Sequence, residues 1–326
     1  MMGCRQWKSL MTGAIAALAL CGCASKPRIG LVLSVGGRGD KSFYDSAYAG
    51  LMTAAQTLGV TYDVREPMQV GEMAPFLREL AETMPDLIIA VGFLQKDAVE
   101  ITAKEFPGIR FAIIDSVVDA PNVASLVFRE EEGSYLVGAI AGLTTKTQAV
   151  GFVGGMRIPL IIKFEAGFTD GVHAVNPGAR VLVDYIGAGP TAFNDPDKGR
   201  AVASRLLARG ADVVYHAAGK SGLGVIDAAA EKKRLAIGVD SNQNGIRPGS
   251  VLTSMEKHID TVVYDVIQRV AEKRFAAGTI TYGLKEGGVG YAVDEHNARL
   301  LKPEVGQKAD RIRQDIIAGR IKVRAA

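Results

Sequence analysis

Two kinds of side chain in this sequence are placed where they could handle a small molecule: aromatic rings beside glycines, and carboxylates at the ends of apolar runs. Gly36-Gly37-Arg38-Gly39-Asp40-Lys41-Ser42-Phe43-Tyr44-Asp45 follows the apolar run Ile29 to Leu33 and precedes residues 46–58, whose apolar side chains recur at helical spacing. The pattern predicts a strand, a glycine-rich turn and a helix, with Ser42 and Asp45 spaced as in a capping box. Three glycines let the backbone bend tightly and approach a ligand closely. Such a loop either holds Phe43 and Tyr44 outward or folds Phe43 into the core. Two further runs, Arg110 to Ile114 and Leu235 to Val239, end in Asp115 and Asp240. A carboxylate so placed either caps the next turn or shares a crevice with the Phe43 loop, because ligands of open α/β sheets bind beyond the carboxyl ends of the strands.

The elements that must position these groups alternate along the chain. Strands are expected at Thr61–Val64, Leu87–Val91, Val123–Phe128, Val150–Val153, Val181–Ile186 and Val213–Tyr215. Between them lie helical patterns such as Ala74–Met84, Lys96–Phe106, Ser134–Thr144, Leu160–His173, Asp197–Arg209, Gly224–Lys232 and His258–Glu272. Leu87–Val91 is a continuous apolar run, as in a parallel strand buried on both faces. Glu130, Glu131 and Glu132 precede an apolar helix and suit the positive end of its dipole. From Ala149 the pattern restarts, so the second half repeats the organisation of the first. The expected fold class is α/β, with two similar doubly wound parallel-sheet lobes around a ligand cleft and a hinge that closes them.

Several function classes are excluded. Gly219-Lys220-Ser221 has a superficial likeness to a phosphate-binding loop, but the glycine that motif needs five residues earlier is Val214. No Gly-x-Ser-x-Gly elbow is present. His173, His216, His258 and His296 show no metal-ligand spacing, although His216 follows Tyr215 and could line a cleft. The chain carries 38 basic and 35 acidic residues, and its basic clusters are interleaved with acids or apolar positions, so no nucleic-acid partner is expected. Neither a cofactor nor a metal is called for.

The first 25 residues read as a targeting segment: Arg5 and Lys8, then the apolar stretch Leu10 to Leu20, then small residues. Leu20-Cys21-Gly22-Cys23-Ala24-Ser25 resembles a lipoprotein lipobox, with Cys23 after Gly22 as the lipid acceptor and the membrane as a partner through that lipid. All three cysteines lie in this segment, so cleavage before Cys23 leaves no disulfide framework. Setting aside Arg5 and Lys8 leaves 36 basic against 35 acidic residues. The expected location is outside the cytoplasm, anchored to a membrane.

Stretches spread through the chain carry a wider resemblance: Gly39-Asp40-Lys41-Ser42-Phe43, Glu131-Glu132-Gly133-Ser134-Tyr135, Gly151-Phe152-Val153-Gly154-Gly155, Phe164-Glu165-Ala166-Gly167-Phe168, Ala218-Gly219-Lys220-Ser221-Gly222, Gly238-Val239-Asp240-Ser241-Asn242 and Leu252-Thr253-Ser254-Met255-Glu256-Lys257. Together they resemble the basic membrane protein family of bacterial lipoproteins, whose best understood members are purine nucleoside receptors. The resemblance implies a periplasmic-binding-protein fold of the first type that is not an enzyme and delivers a nucleoside-like ligand to an ABC transporter permease. It implies Phe43 as the stacking ring of the first lobe, Tyr215 as a candidate for the opposite side and Asp115 as the reader of the base edge. Asp240 and Lys257, with the backbone at Gly219, are the implied ribose clamp; alternatively Asp240 and Lys257 make a structural ion pair. The sequence departs from the family at Ser34, where Asp or Asn is commoner, and at Tyr44, where Asn is; both positions would lie beside the base.

The same resemblance contributes to the division expected of the chain: residues 1–22 as signal peptide, 23–28 as tether, 29–128 with 255–282 as the first lobe, and 129–254 with 283–326 as the second. A ligand sensor of the same fold without a transport role, or a receptor for another small polar solute, meets the same pattern.

Overall fold

The computed structural model describes residues 26–325; the expected signal peptide and lipid acceptor Cys23 lie outside them. Strand and helix alternate as the sequence pattern requires. The first lobe is built from β1 (Arg28–Val32), α1 (Phe43–Leu58), β2 (Thr61–Arg65), α2 (Met73–Glu82), β3 (Leu87–Val91), α3 (Lys96–Glu105), β4 (Arg110–Ile114) and β5 (Val123–Phe128). The second contains α4 (Glu130–Thr144), β6 (Ala149–Gly154), α5 (Pro159–Val175), β7 (Arg180–Tyr185), α6 (Pro196–Ala208), β8 (Val213–Ala217), α7 (Gly222–Glu231), β9 (Leu235–Asp240) and β10 (Val251–Lys257). The chain then runs through α8 (Ile259–Ala271), β11 (Gly278–Tyr282), β12 (Val289–Tyr291) and α9 (Pro303–Ile317).

Two six-stranded sheets result, ordered β2-β1-β3-β4-β5-β11 and β7-β6-β8-β9-β10-β12. The first is parallel throughout, whereas β12 closes the second antiparallel to β10. In both sheets the order reverses direction at one place, between β1 and β3 and between β6 and β8. At such a switch point adjacent connections leave toward opposite faces, and a crevice opens beyond the strand ends. Central strands such as β3 and β8 are buried on both faces, which is why they read as uninterrupted apolar runs.

The chain passes between lobes after β5, after β10 and after β11, with α8 packed on α1 and α4 on α5. Hydrogen bonds lace the crossings: Arg129 N–H to the Tyr282 carbonyl (3.0 Å) and His258 N–H to the Gly288 carbonyl (2.9 Å). One boundary differs from expectation. Met255, Glu256 and Lys257 pair with β9 and β12 in the second sheet, so the second crossing follows Lys257 rather than Ser254.

Candidate functional site

The helix after the glycine loop begins at Phe43, three residues before the apolar repeat. Asp40 causes this, since its carboxylate accepts the N–H groups of Ser42 (2.9 Å), Tyr44 (2.9 Å) and Asp45 (3.1 Å), which would otherwise be orphaned at the helix start. The expected Ser42–Asp45 capping box is therefore replaced. Asp45 turns back to accept from Gly39 and Lys41 N–H, and the Ser42 hydroxyl leaves the helix altogether. Phe43 and Tyr44 are thereby fixed on the first turn of α1 and face a cavity between the lobes.

That cavity lies beyond the carboxyl ends of both sheets, at their switch points. It encloses about 670 Å³ of atom-free space, counting the open solvent at its mouth. The first lobe contributes Ser34, Phe43, Tyr44, Gly92, Phe93 and Asp115; the second contributes Ile161, Phe164, Phe193, Gly219, Asp240 and Lys257. Gly92 has φ +109°, and a side chain there would meet the Phe43 ring. Phe93 and Phe193 approach edge to face across the cleft, 6.2 Å between centroids.

Asp115 and Asp240 occupy equivalent strand ends, one after β4 and the other closing β9, and share a left-handed backbone, φ 66° and 64°. A non-glycine residue in that region costs on the order of 1 kcal/mol. Strain repeated at matching positions of both lobes aims two carboxylates into one cavity.

The carboxylates have different partners. Lys257, 1% exposed, donates to both Asp115 oxygens at 2.6 Å and lies 3.2 Å from Glu130 Oε1. Its ammonium also sits over the rings of Phe128 (4.7 Å) and Phe43 (5.2 Å). Burial works against the lysine charge, yet Asp115, Glu130 and Asp240 together raise its pKa and keep it protonated. Asp115 is raised to about 6, first by burial, with Lys257 opposing. The alternative of a structural Asp240–Lys257 ion pair is not formed; Lys257 reaches across to the first lobe instead, and Asp240 accepts from Ser42 Oγ at 3.0 Å. Burial, only partly offset by Lys257, pushes Asp240 up to about 7.

One further expectation is corrected. Tyr215 does not line the cavity. It sits two residues short of the end of β8, fully buried against Phe152 and Phe168, with its hydroxyl 3.2 Å from Ser134 Oγ. The rings that face Phe43 from the second lobe are Phe164 and Phe193. His216 is likewise internal, bound to Gln243 Oε1 at 3.1 Å, and burial lowers its pKa to about 4, so it stays neutral.

The remaining assignments come together. Gly219, at φ +52°, brings backbone to the cavity wall, where a side chain would press on the Phe193 carbonyl. Ser34 lies at the wall with its hydroxyl buried and without a hydrogen-bond partner among the described residues. Tyr44 lies beside it, its phenol held protonated mainly by burial. Sequence reasoning missed Phe93, Phe164, Phe193, Glu130 and the bridging role of Ser42. Only Phe93, immediately after the strand-ending Gly92, carried a local signal.

Residues 27–326 match the family model described as "Bmp: ABC transporter substrate-binding protein PnrA-like". The chain belongs to the Bmp family. Among Bmp-like relatives, the CD4+ T-cell-stimulating antigen of Listeria monocytogenes is 37% identical over 318 residues, covering 90% of this chain and 87% of that protein. A Lactococcus lactis relative named ABC transporter nucleoside-binding protein BmpA is 32% identical over 316 residues, covering 90% of this chain and 88% of that one. A solved structure of an ABC transporter solute-binding protein from Aeropyrum pernix superposes with a TM-score of 0.83 at 31% identity, over 91% of this chain and 93% of that chain. This Bmp protein is thus an ABC transporter substrate-binding protein, and its two-lobed cavity belongs to a binder, not an enzyme.

Proposed function

We propose that the protein captures a nucleoside, a purine nucleoside foremost, by closing its lobes, and that it delivers the ligand to an ABC permease while anchored through lipid on Cys23. The observation that carries this reading is the cavity's division of labour: aromatic walls on both sides, and one carboxylate, Asp240, with no lysine paired to it. Phe43 offers a stacking face to a base, worth about 1–3 kcal/mol by analogy with single-stranded nucleic acids. Ribose hydroxyls donate to Asp240 in charge-assisted bonds. Ser34 and Tyr44 present neutral hydroxyls, each able to donate or accept, to the base edge. The single cavity lysine is already matched by Asp115 and Glu130, which disfavours a phosphate group and selects nucleosides over nucleotides. The nucleoside-binding name of the Lactococcus relative supports the same ligand class.

Isothermal titration of the purified protein with adenosine, guanosine, inosine, cytidine, uridine and guanosine monophosphate tests this. One-to-one binding of purine nucleosides is expected, weakened at least about tenfold by Phe43→Ala, equivalent to 1.4 kcal/mol. Absence of heat with every nucleoside overturns the ligand assignment.

A further inference from the structure

We propose that a groove at the outer end of the second lobe binds phosphate-bearing anions. In a parallel sheet one set of strand ends makes the cleft and the other faces away from it. The groove lies at the amino ends of β8 and β9, where Val213 and Leu235 meet the last turn of α4 and the segment leading into α9. It holds about 940 Å³ of atom-free space, counting open solvent, over an apolar floor.

Five cations rim it: Lys146, Lys233, Arg234, Arg299 and Lys302. All are exposed, and none forms an ion pair within 4.0 Å among the described residues. This differs from the neighbouring surface, where Arg200, Arg205 and Arg247 are each matched by Asp or Glu. The one carboxylate in the groove, Asp212, is spent: it accepts from Thr145 Oγ1 (2.6 Å), Lys146 N–H (2.7 Å) and Thr147 N–H (3.1 Å). Over the whole chain 38 basic residues meet 35 acidic ones, so five unmatched cations around one groove are a local concentration.

Such clustering is self-repulsive unless a counter-charge sits among its members. The amino end of the 15-residue helix α9 opens at Lys302 without a side-chain cap, with Glu304 in its first turn offsetting part of the positive potential there. A single carboxylate leaves most of that charge unbalanced, whereas a phosphate ester or a chain of phosphates supplies several acceptors for arginine forks and lysine ammonium groups. The chain enters the fold at the other lobe, where Thr61 N–H bonds the Pro27 carbonyl (3.0 Å).

The test is titration of the purified protein, carrying Cys23→Ser in every sample so that no lipid of its own holds it to a membrane, with sodium tripolyphosphate, beside flotation with phosphatidylglycerol vesicles. Saturable tripolyphosphate binding is expected, weakened about tenfold or more in the double variant Arg234→Gln/Arg299→Gln. Lys96→Gln/Lys285→Gln, which removes equal charge from exposed positions elsewhere, should bind as the parent does. An unchanged thermal midpoint shows that both variants fold. Tripolyphosphate binding without co-flotation assigns the phosphate to a soluble ligand, and co-flotation lost in the arginine variant assigns it to a lipid headgroup. No saturable binding by either probe, or equal weakening in the lysine control, overturns the proposal.

Discussion

Asp240 is the residue on which the cleft chemistry turns. Its carboxyl is buried and raised to about 7, and Ser42 is its one hydrogen-bond donor among the described residues. A folded-state pKa above the unfolded carboxylate value of about 3.9 means that the folded chain holds this proton more tightly. The stabilisation is complete below the unfolded value and is lost as pH rises through about 7. Ligand hydroxyls donating to the ionised form act in the opposite sense, so nucleoside affinity should climb over that interval. Asp240→Asn should flatten both profiles, stabilising the empty protein at pH 8 while weakening the nucleoside. An unaltered affinity-versus-pH curve in the variant would remove Asp240 from the site. Tyr215→Phe is the matching control: it breaks the Ser134 contact at a cost of about 0.5–1.5 kcal/mol and should leave affinity unchanged.

At the scale of elements, the site depends on where α1 starts. Asp40 is almost wholly buried, and its carboxylate carries three backbone N–H groups of the first turn. That turn positions Phe43 and Tyr44, so the cap also sets where two rings of the cavity wall stand. Asp40→Ala should lower stability by about 1–2 kcal/mol, as loss of a cap does, and should weaken nucleoside binding as well. Urea unfolding and titration of one sample measure the two effects together. Lost stability with full affinity would show that α1 keeps its aromatic turn without the cap.

Closure is a property of the whole molecule. Four hydrogen bonds cross the cleft at its rim: Ser42 Oγ to the Val239 carbonyl (3.0 Å) and to Asp240 Oδ2 (3.0 Å), Ser241 Oγ to the Ser42 carbonyl (3.0 Å), and Gln243 Nε2 to the Lys41 carbonyl (3.1 Å). At the hinge, Lys257 from the second sheet holds Asp115 of the first lobe. These contacts join the two lobes directly, and a ligand seated between the lobes adds contacts of its own to both. Ser42→Ala/Ser241→Ala removes three of the four rim bonds. Small-angle scattering of the empty variant should show a larger radius of gyration that nucleoside restores. An identical radius in parent and variant would locate the closing energy elsewhere.

Sequence alone was enough for whatever depends on neighbours along the chain. The apolar runs of β3 and β4, the glycine turn after β1, and the placement of Asp115 and Asp240 at strand ends were all legible, because strand length and burial are written locally. The family was legible too, since its stretches lie in order through the chain. The choice of partner for each buried group was not. Lys257 pairs with Asp115, 142 positions away, and Ser42 with Asp240, 198 away. Only the meeting of two lobes decides such pairs. Tyr215 was misjudged for the same reason: a strand pattern gives a residue's face but not its depth, and two residues back from the sheet edge a ring belongs to the core. Phe164 and Phe193 lie on a helix and a turn with no local mark of a binding wall. They became walls when the second lobe folded over Phe43, because a cleft between two lobes is written in neither one.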